Sequence, residues 1–200
     1  RSPFFCRNCS MQYGITEASN GTASEVLSTS ELKAFLRVTH STEDTLIEAI
    51  RQAAINYVEQ FCNIRLGDRS ATFFFSEFPD FVELPIGPVN SITNVKYATS
   101  DSTTATMPSS DYYVTSGRDP MLISFNNIPS VFSDTYKKLQ ITVDLGYAEA
   151  SVPAPIKHAV KLLVAHMYDQ RAPEVSGTIT TKLKIGLESL LNPYRIISFR

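Results

Sequence analysis

Residues 28–66, STSELKAFLRVTHSTEDTLIEAIRQAAINYVEQFCNIRL, decide the fold. Leu46, Ile47, Ile50, Ala53, Ala54, Tyr57, Val58, Phe61 and Cys62 recur at i, i+3, i+4 and i+7, which gathers side chains onto one stripe of a 3.6-residue helix. A short helix followed by a long one with a buried face is expected. Ser28 with Glu31 and Ser41 with Asp44 each place a hydroxyl at a helix start and a carboxylate three residues on, so free backbone N–H groups find acceptors. The long helix should end near Asn63, a residue that tolerates a left-handed cap, before Leu66-Gly67-Asp68 turns the chain.

The remainder is bounded by composition. Of 200 residues 43% are hydrophobic, enough for a core that removes roughly 70% of the unfolded surface from water. The net charge is -2, from 18 basic and 20 acidic residues without a run of either sign, so gripping duplex DNA by phosphate neutralisation is not indicated. No apolar stretch reaches the roughly 18 residues of a membrane span. Residues 1–10 are too short for a secretory signal, so a cytoplasmic origin is expected. Cys6, Cys9 and Cys62 are an odd number for a disulfide framework. Cys6-Arg-Asn-Cys9 has C-x-x-C spacing but lacks two further zinc ligands and the strand-to-helix setting of a redox site. It reads as chance, with Met11 as a natural start and residues 1–10 an upstream extension. Cys62, on the helical stripe, reads as core.

Residues 1–27 read as an extended arm, suited to packing on a neighbour. After the helix pair, Ala71–Phe75, Phe81–Leu84, Ile92–Tyr97, Tyr112–Thr115, Met121–Phe125 and Leu139–Leu145 are short β-branched or aromatic runs punctuated by Pro, Gly, Ser and Asp. They predict an antiparallel sheet or sandwich with one wet face. Thr99–Ser110, rich in Ser and Thr, reads as a mobile loop dispensable for folding. Val152-Pro153-Ala154-Pro155 opens a third helix whose stripe (Ile156, Ala159, Val160, Leu163, Val164, Met167, Tyr168) should pack on the long helix. Ala172-Pro173 should end it, residues 173–184 form a polar segment, and Leu187, Leu190 and Leu191 a last short helix broken at Asn192-Pro193. The fold class is α+β: a helical domain of residues 28–69 and 152–192, with an antiparallel β region (70–151) inserted in it, and a tail (193–200).

Chemistry is sparsely signalled. His158, Leu162 and His166 share one side of the third helix, but the histidines lie about 12 Å apart along its axis, too far for one metal ion. Leu162 between them, together with Ile55 outside the stripe of the long helix, marks a surface between subunits. His40 reads as a solvated turn residue. Glu43 and Asp44 suit the positive end of a helix dipole, and Arg37, Arg65 and Arg171 the negative ends. No G-x-S-x-G, H-E-x-x-H or G-x-x-x-x-G-K-[ST] occurs. No enzyme activity, cofactor or metal is expected.

The chain resembles the head-tail connector, or adaptor, proteins of tailed bacteriophages. The resemblance is carried by Leu32-Lys33, Leu36-Arg37-Val38, Glu43-Asp44, Ala53-Ala54 with Tyr57-Val58-Glu59, Leu84-Pro85, Pro88-Val89-Asn90-Ser91-Ile92, Val95 and Tyr97. It continues through Asp111-Tyr112, Val114, Gly146-Tyr147, Val152-Pro153, Ile156-Lys157, Tyr168 with Arg171, Leu190-Leu191 and Pro193-Tyr194-Arg195. Asn63 departs from it, standing where the family often has glycine. The resemblance implies a virion neck protein, made in the host bacterial cytoplasm: a ring of usually twelve copies between the portal and a stopper or tail-side protein, with DNA passing through unbound and no membrane partner. It also assigns portal binding to Leu190, Leu191, Pro193, Tyr194, Arg195, Ile196, Ile197 and Phe199, because the apolar tail needs a partner and alternates like a strand that adds to another protein. Deleting residues 193–200 should then abolish portal binding and hardly change the melting temperature, unless the tail folds back on the third helix. The subunit interface would comprise Ile55, His158, Leu162 and His166. The alternative function is a small-ligand or carbohydrate-binding module using Phe73, Phe75, Phe78, Phe81 and Tyr112 as stacking groups.

Overall fold

The computed structural model describes residues 13–19, 26–115, 117, 120–148, 151–170 and 180–197, excluding the side chains of residues 13, 18, 19 and 180–185. Cys6, Cys9, Arg171, Ala172-Pro173 and Phe199 lie outside the described residues. The first helix, α1 (Thr29–Leu36), starts as its sequence requires: the Glu31 N–H donates to Ser28 Oγ, and the Glu31 carboxylate accepts the Ser28 N–H. The second helix, α2 (Asp44–Cys62), does not. Its N-cap is Glu43, without a side-chain cap, and Ser41 accepts the Asp44 N–H only through its carbonyl. Asp44 instead takes an ion pair from Lys33 at 2.6 Å, and Glu43 accepts the Tyr168 hydroxyl, so both carboxylates hold tertiary contacts as well as a helix start. Asn63 closes α2 in the left-handed conformation (φ 55°, ψ 37°).

The buried face of α2 is Ile47, Arg51, Ala54, Ile55, Val58, Glu59 and Cys62. It is turned by about one residue from the hydropathy stripe, leaving Tyr57 43% and Leu46 37% exposed while Ile55 is 1% exposed. Two charged residues cause the turn, because each finds partners inside. Arg51 donates to the Leu27 carbonyl, Thr29 Oγ1 and Glu48, and Glu59 accepts from the Leu66 N–H and Arg69. Ile55 therefore belongs to the helical core and not to a subunit interface.

The third helix, α3 (Ala154–Asp169), enters at Pro153 and packs chiefly on α2. The fourth, α4 (Thr180–Leu191), begins within the stretch expected to be a polar segment and runs into a 3-10 turn over Asn192–Tyr194. Leu187 and Leu191 join the core formed by α1, α2 and α3.

Between the helix pairs lies a second core. Strands β1 (Tyr13–Ser19), β2 (Arg69–Phe75), β3 (Phe81–Glu83), β4 (Val89–Ala98), β5 (Thr104–Thr106), β6 (Tyr112–Thr115), β7 (Leu122–Phe125) and β8 (Leu139–Leu145) make a five-stranded sheet in the order β1-β2-β8-β4-β5 and a three-stranded sheet in the order β3-β7-β6. Every pair is antiparallel. Alternation does the sorting: Ala71, Phe73, Ile141 and Val143 face the core, whereas Thr72 and Thr142 bond to each other at 3.0 Å in the opposite direction. Part of the expected arm is β1, which pairs along β2 of its own chain.

The loop expectation for Thr99–Ser110 fails. The Thr99 N–H donates to the Thr103 carbonyl to make a tight turn, β5 pairs with β4, and the Met107 N–H donates to the Val95 carbonyl at 2.8 Å. Met107 is 3% exposed and sits in the sandwich core, so hydropathy averaged over a Ser/Thr-rich run hid one anchoring side chain. Met107→Ala should cost about 2 kcal/mol in denaturant unfolding. A change under about 0.5 kcal/mol would restore the mobile-loop reading.

Candidate interface at the end of the second helix

The end of α2 gathers the tail on one side and the first strand on the other. The Ile196 N–H donates to the Cys62 carbonyl at 2.8 Å, Asn63 Nδ2 donates to the Ile196 carbonyl at 3.0 Å, and Ile196 is 5% exposed. Leu191 is fully buried, its carbonyl facing the Cys62 thiol at 3.8 Å, and burial pushes that thiol up to about 11. The thiol remains protonated and unreactive at neutral pH. Leu190 and Tyr194 pack partly buried against the same core.

The tail is thus folded back on its own helices as far as Ile196, because Asn63 ends α2 with an amide that captures it. Leu191 and Ile196 cannot contact a portal in this conformation; they hold the tail from beneath. Pro193, Arg195 and Ile197 remain outside, Ile197 at 57% exposure. The Arg195 guanidinium lies 5.2 Å from the centre of the Phe61 ring, and Phe61 stacks on Tyr57 at 6.2 Å with planes 9° apart. Tyr57, Phe61 and Arg195 present an amphipathic ledge suited to a protein partner, with the exposed Ile197 two residues further along the tail. Tyr57 and Phe61 carry the hydropathy stripe, so the sequence alone placed them in the core.

An ion-pair chain joins the end of α2 and the segment after it to β1. Arg65 donates through Nε to Glu17 on β1 at 3.0 Å, Arg69 reaches the same carboxylate at 3.4 Å, and Arg69 also donates to Glu59 at 2.7 Å. Arg65 is spent on this strand and not on a helix dipole. The hydrogen bond from Arg65 is the main reason the Glu17 carboxyl is held below its ordinary value. Glu59 is moved the other way: burial raises it, against the Leu66 hydrogen bond and the Arg69 charge.

A carboxyl depressed in the folded state stabilises the fold above its unfolded value and loses that contribution as pH falls through its folded value. Glu17→Gln should therefore cost on the order of 1 kcal/mol at pH 7. The gap to the parent should close as pH drops through and below 4.5. Urea midpoints at several pH values measure it. A gap constant down to pH 2 would show that Glu17 acts by packing alone.

The other expected site residues are dispersed. His158 is exposed and meets the edge of Phe35 at 6.4 Å, while His166 is partly buried. Leu162 is partly buried and packs against the helical core, so a charge placed there disturbs the fold as well as any surface. The five aromatics of the ligand-module alternative do not form one platform. Phe73 and Phe75 are core, Phe78 and Tyr112 pack partly buried against that core, and only Phe81 stands out at 58% exposure. Among the described residues no group of three or more His, Cys, Asp or Glu is placed to hold a metal, and no helix is long and apolar enough to cross a membrane.

The fold thus combines a helical core, an antiparallel sandwich and an amphipathic ledge at the end of α2. The head completion protein family model matches residues 25–196, and the chain belongs to that family. This agrees with the resemblance to connector proteins. No curated protein sequence matches the chain. Solved structures that share the fold include three from gene transfer agent (GTA) particles. A chain of the "Neck of empty GTA particle computed with C6 symmetry" superposes with a TM-score of 0.77 at 19% identity, covering 94% of this chain and 97% of the other. One from the "Virion of native gene transfer agent (GTA) particle" gives 0.76 at 18%, covering 93% and 97%. One from the "Neck of native GTA particle computed with C12 symmetry" gives 0.73 at 17%, covering 94% and 97%.

Proposed function

We propose that this chain is a non-enzymatic adaptor subunit that forms a ring in the virion neck, between the portal and a tail-side protein, and continues the DNA channel. The observation that carries the proposal is the family match over residues 25–196, joined to a fold shared almost end to end with chains of neck particles, one of them computed with C12 symmetry. Twelve copies is the proposed ring size, a number compatible with both the C6 and the C12 symmetry of the two neck particles. A net charge of -2 without a basic run suits a channel that DNA slides through, since tight phosphate contacts would arrest it. The virion neck is its working location, after synthesis in the host bacterial cytoplasm.

The portal contact is assigned to the exposed side of the tail, Pro193, Arg195 and Ile197, together with Phe199 and the Tyr57–Phe61 stack that Arg195 overlies. His158, Leu162 and His166 on α3 are assigned to contacts between neighbouring copies. Negative-stain images of the chain mixed with its portal should show rings seated beneath the portal. A chain that remains a small soluble species, with no added density on the portal, would overturn the adaptor reading.

A further inference from the structure

The outer face of the three-stranded sheet carries a feature the adaptor reading does not use. Phe81 on β3 and Tyr113 on β6 both lie directly opposite Ser124 on the central strand β7. The burial pattern fixes the side: Val82 and Ile123 in the adjacent row are fully buried, whereas Phe81 is 58% and Tyr113 67% exposed. Two large rings therefore stand on the solvent side, one on each outer strand, with a small hydroxyl side chain between them.

Two strand spacings separate their backbones by about 10 Å. With both rings upright over their strands, a flat cation midway would lie about 5 Å from each, within the roughly 6 Å reach of a cation–π contact. The surroundings select the sign of charge. Glu77 and Asp80 flank the Phe81 side in the chain and Asp111 the Tyr113 side, against one cation in residues 76–84 and 109–127, Arg118, which lies outside the described residues.

We infer that the Phe81–Ser124–Tyr113 slot is a docking site for an arginine side chain presented by a partner protein. Arginine fits because its guanidinium is planar, can stack against both rings at once, and keeps its edge N–H groups for carboxylates. Nucleic acid is the wrong occupant, since carboxylates on both sides repel phosphate. This inference does not rest on the ring or the portal contact.

The test is an NMR titration of the full chain with the blocked tripeptide acetyl-Gly-Arg-Gly-amide, compared with its lysine, tyrosine, proline and norleucine counterparts. The arginine peptide should shift the Phe81, Tyr113 and Ser124 resonances saturably. Lysine should bind at least about threefold more weakly, and norleucine should give no shift. Phe81→Ala combined with Tyr113→Ala should abolish the shifts with the amide spectrum elsewhere unchanged, both side chains being exposed, and Ser124→Phe should do the same by filling the slot. No saturable shift with the arginine peptide, stronger binding of the tyrosine or proline peptide, or shifts that survive the double substitution would each overturn the inference. Ring formation and portal seating are not read in this titration, so either proposal can fail alone.

Discussion

Gly146→Ala is expected to destabilise the protein by at least about 4 kcal/mol. For a chain of this size that lowers the melting temperature by on the order of 10 °C. Gly146 has φ +109°, a conformation that L side chains rarely adopt, and a Cβ built there would lie 2.1 Å from the Gly67 carbonyl oxygen and 2.9 Å from its carbon. Both atoms are backbone, so no side chain can swing aside. The backbone is pinned as well. The Gly146 N–H donates to the Pro88 carbonyl at 2.8 Å, its own carbonyl accepts from Asn90 at 2.9 Å, and the bridges Ile64↔Gly87 and Leu66↔Tyr147 lie alongside. This seam joins the segment leaving α2 to the segment leaving β8, so shifting it disturbs both cores. Gly67→Ala is the control. Gly67 has φ +105° but nothing within 4 Å of a new Cβ, so it should cost only the backbone strain, about 1–2 kcal/mol. Equal losses for the two variants would mean that the seam absorbs the clash and the close approach is not decisive.

Deletion of residues 193–200 should lower the melting temperature as well as weaken portal binding, by about 3 kcal/mol in stability. The sequence reading expected a nearly unchanged melting temperature. The difference comes from Ile196, which is 5% exposed, donates its N–H to the Cys62 carbonyl, and lends its carbonyl to Asn63. Removing it also uncovers part of the core around Leu191. Two point variants separate stability from binding. Ile196→Ser should reproduce most of the stability loss, whereas Ile197→Ser, at a residue 57% exposed, should leave thermal unfolding within about 0.5 kcal/mol of the parent and weaken only portal seating. A truncated chain that unfolds at the parent temperature would show that the tail docks too weakly to matter.

Sequence by itself determined what depends on local chemistry. The Ser28–Glu31 capping box, the left-handed Asn63 cap, the Pro153 entry to α3 and six of the strands follow from propensity, capping and alternation, which act between residues near in the chain. Together they specified the α+β class. The face of α2 that turns inward was settled only by tertiary structure. Arg51 and Glu59 are buried because the Leu27 carbonyl, Thr29, the Leu66 N–H and Arg69 meet them there, and hydropathy counts such residues as exposed since it cannot see a partner distant in sequence. With those two inside, Ile55 went to the core and Tyr57 to the surface. The same limit hid Met107, the docking of Ile196 and the pairing of Phe81 with Tyr113 across Ser124. Each requires knowing which segments lie side by side, and that is fixed by packing and strand register, where contacts far apart in the chain decide the free energy.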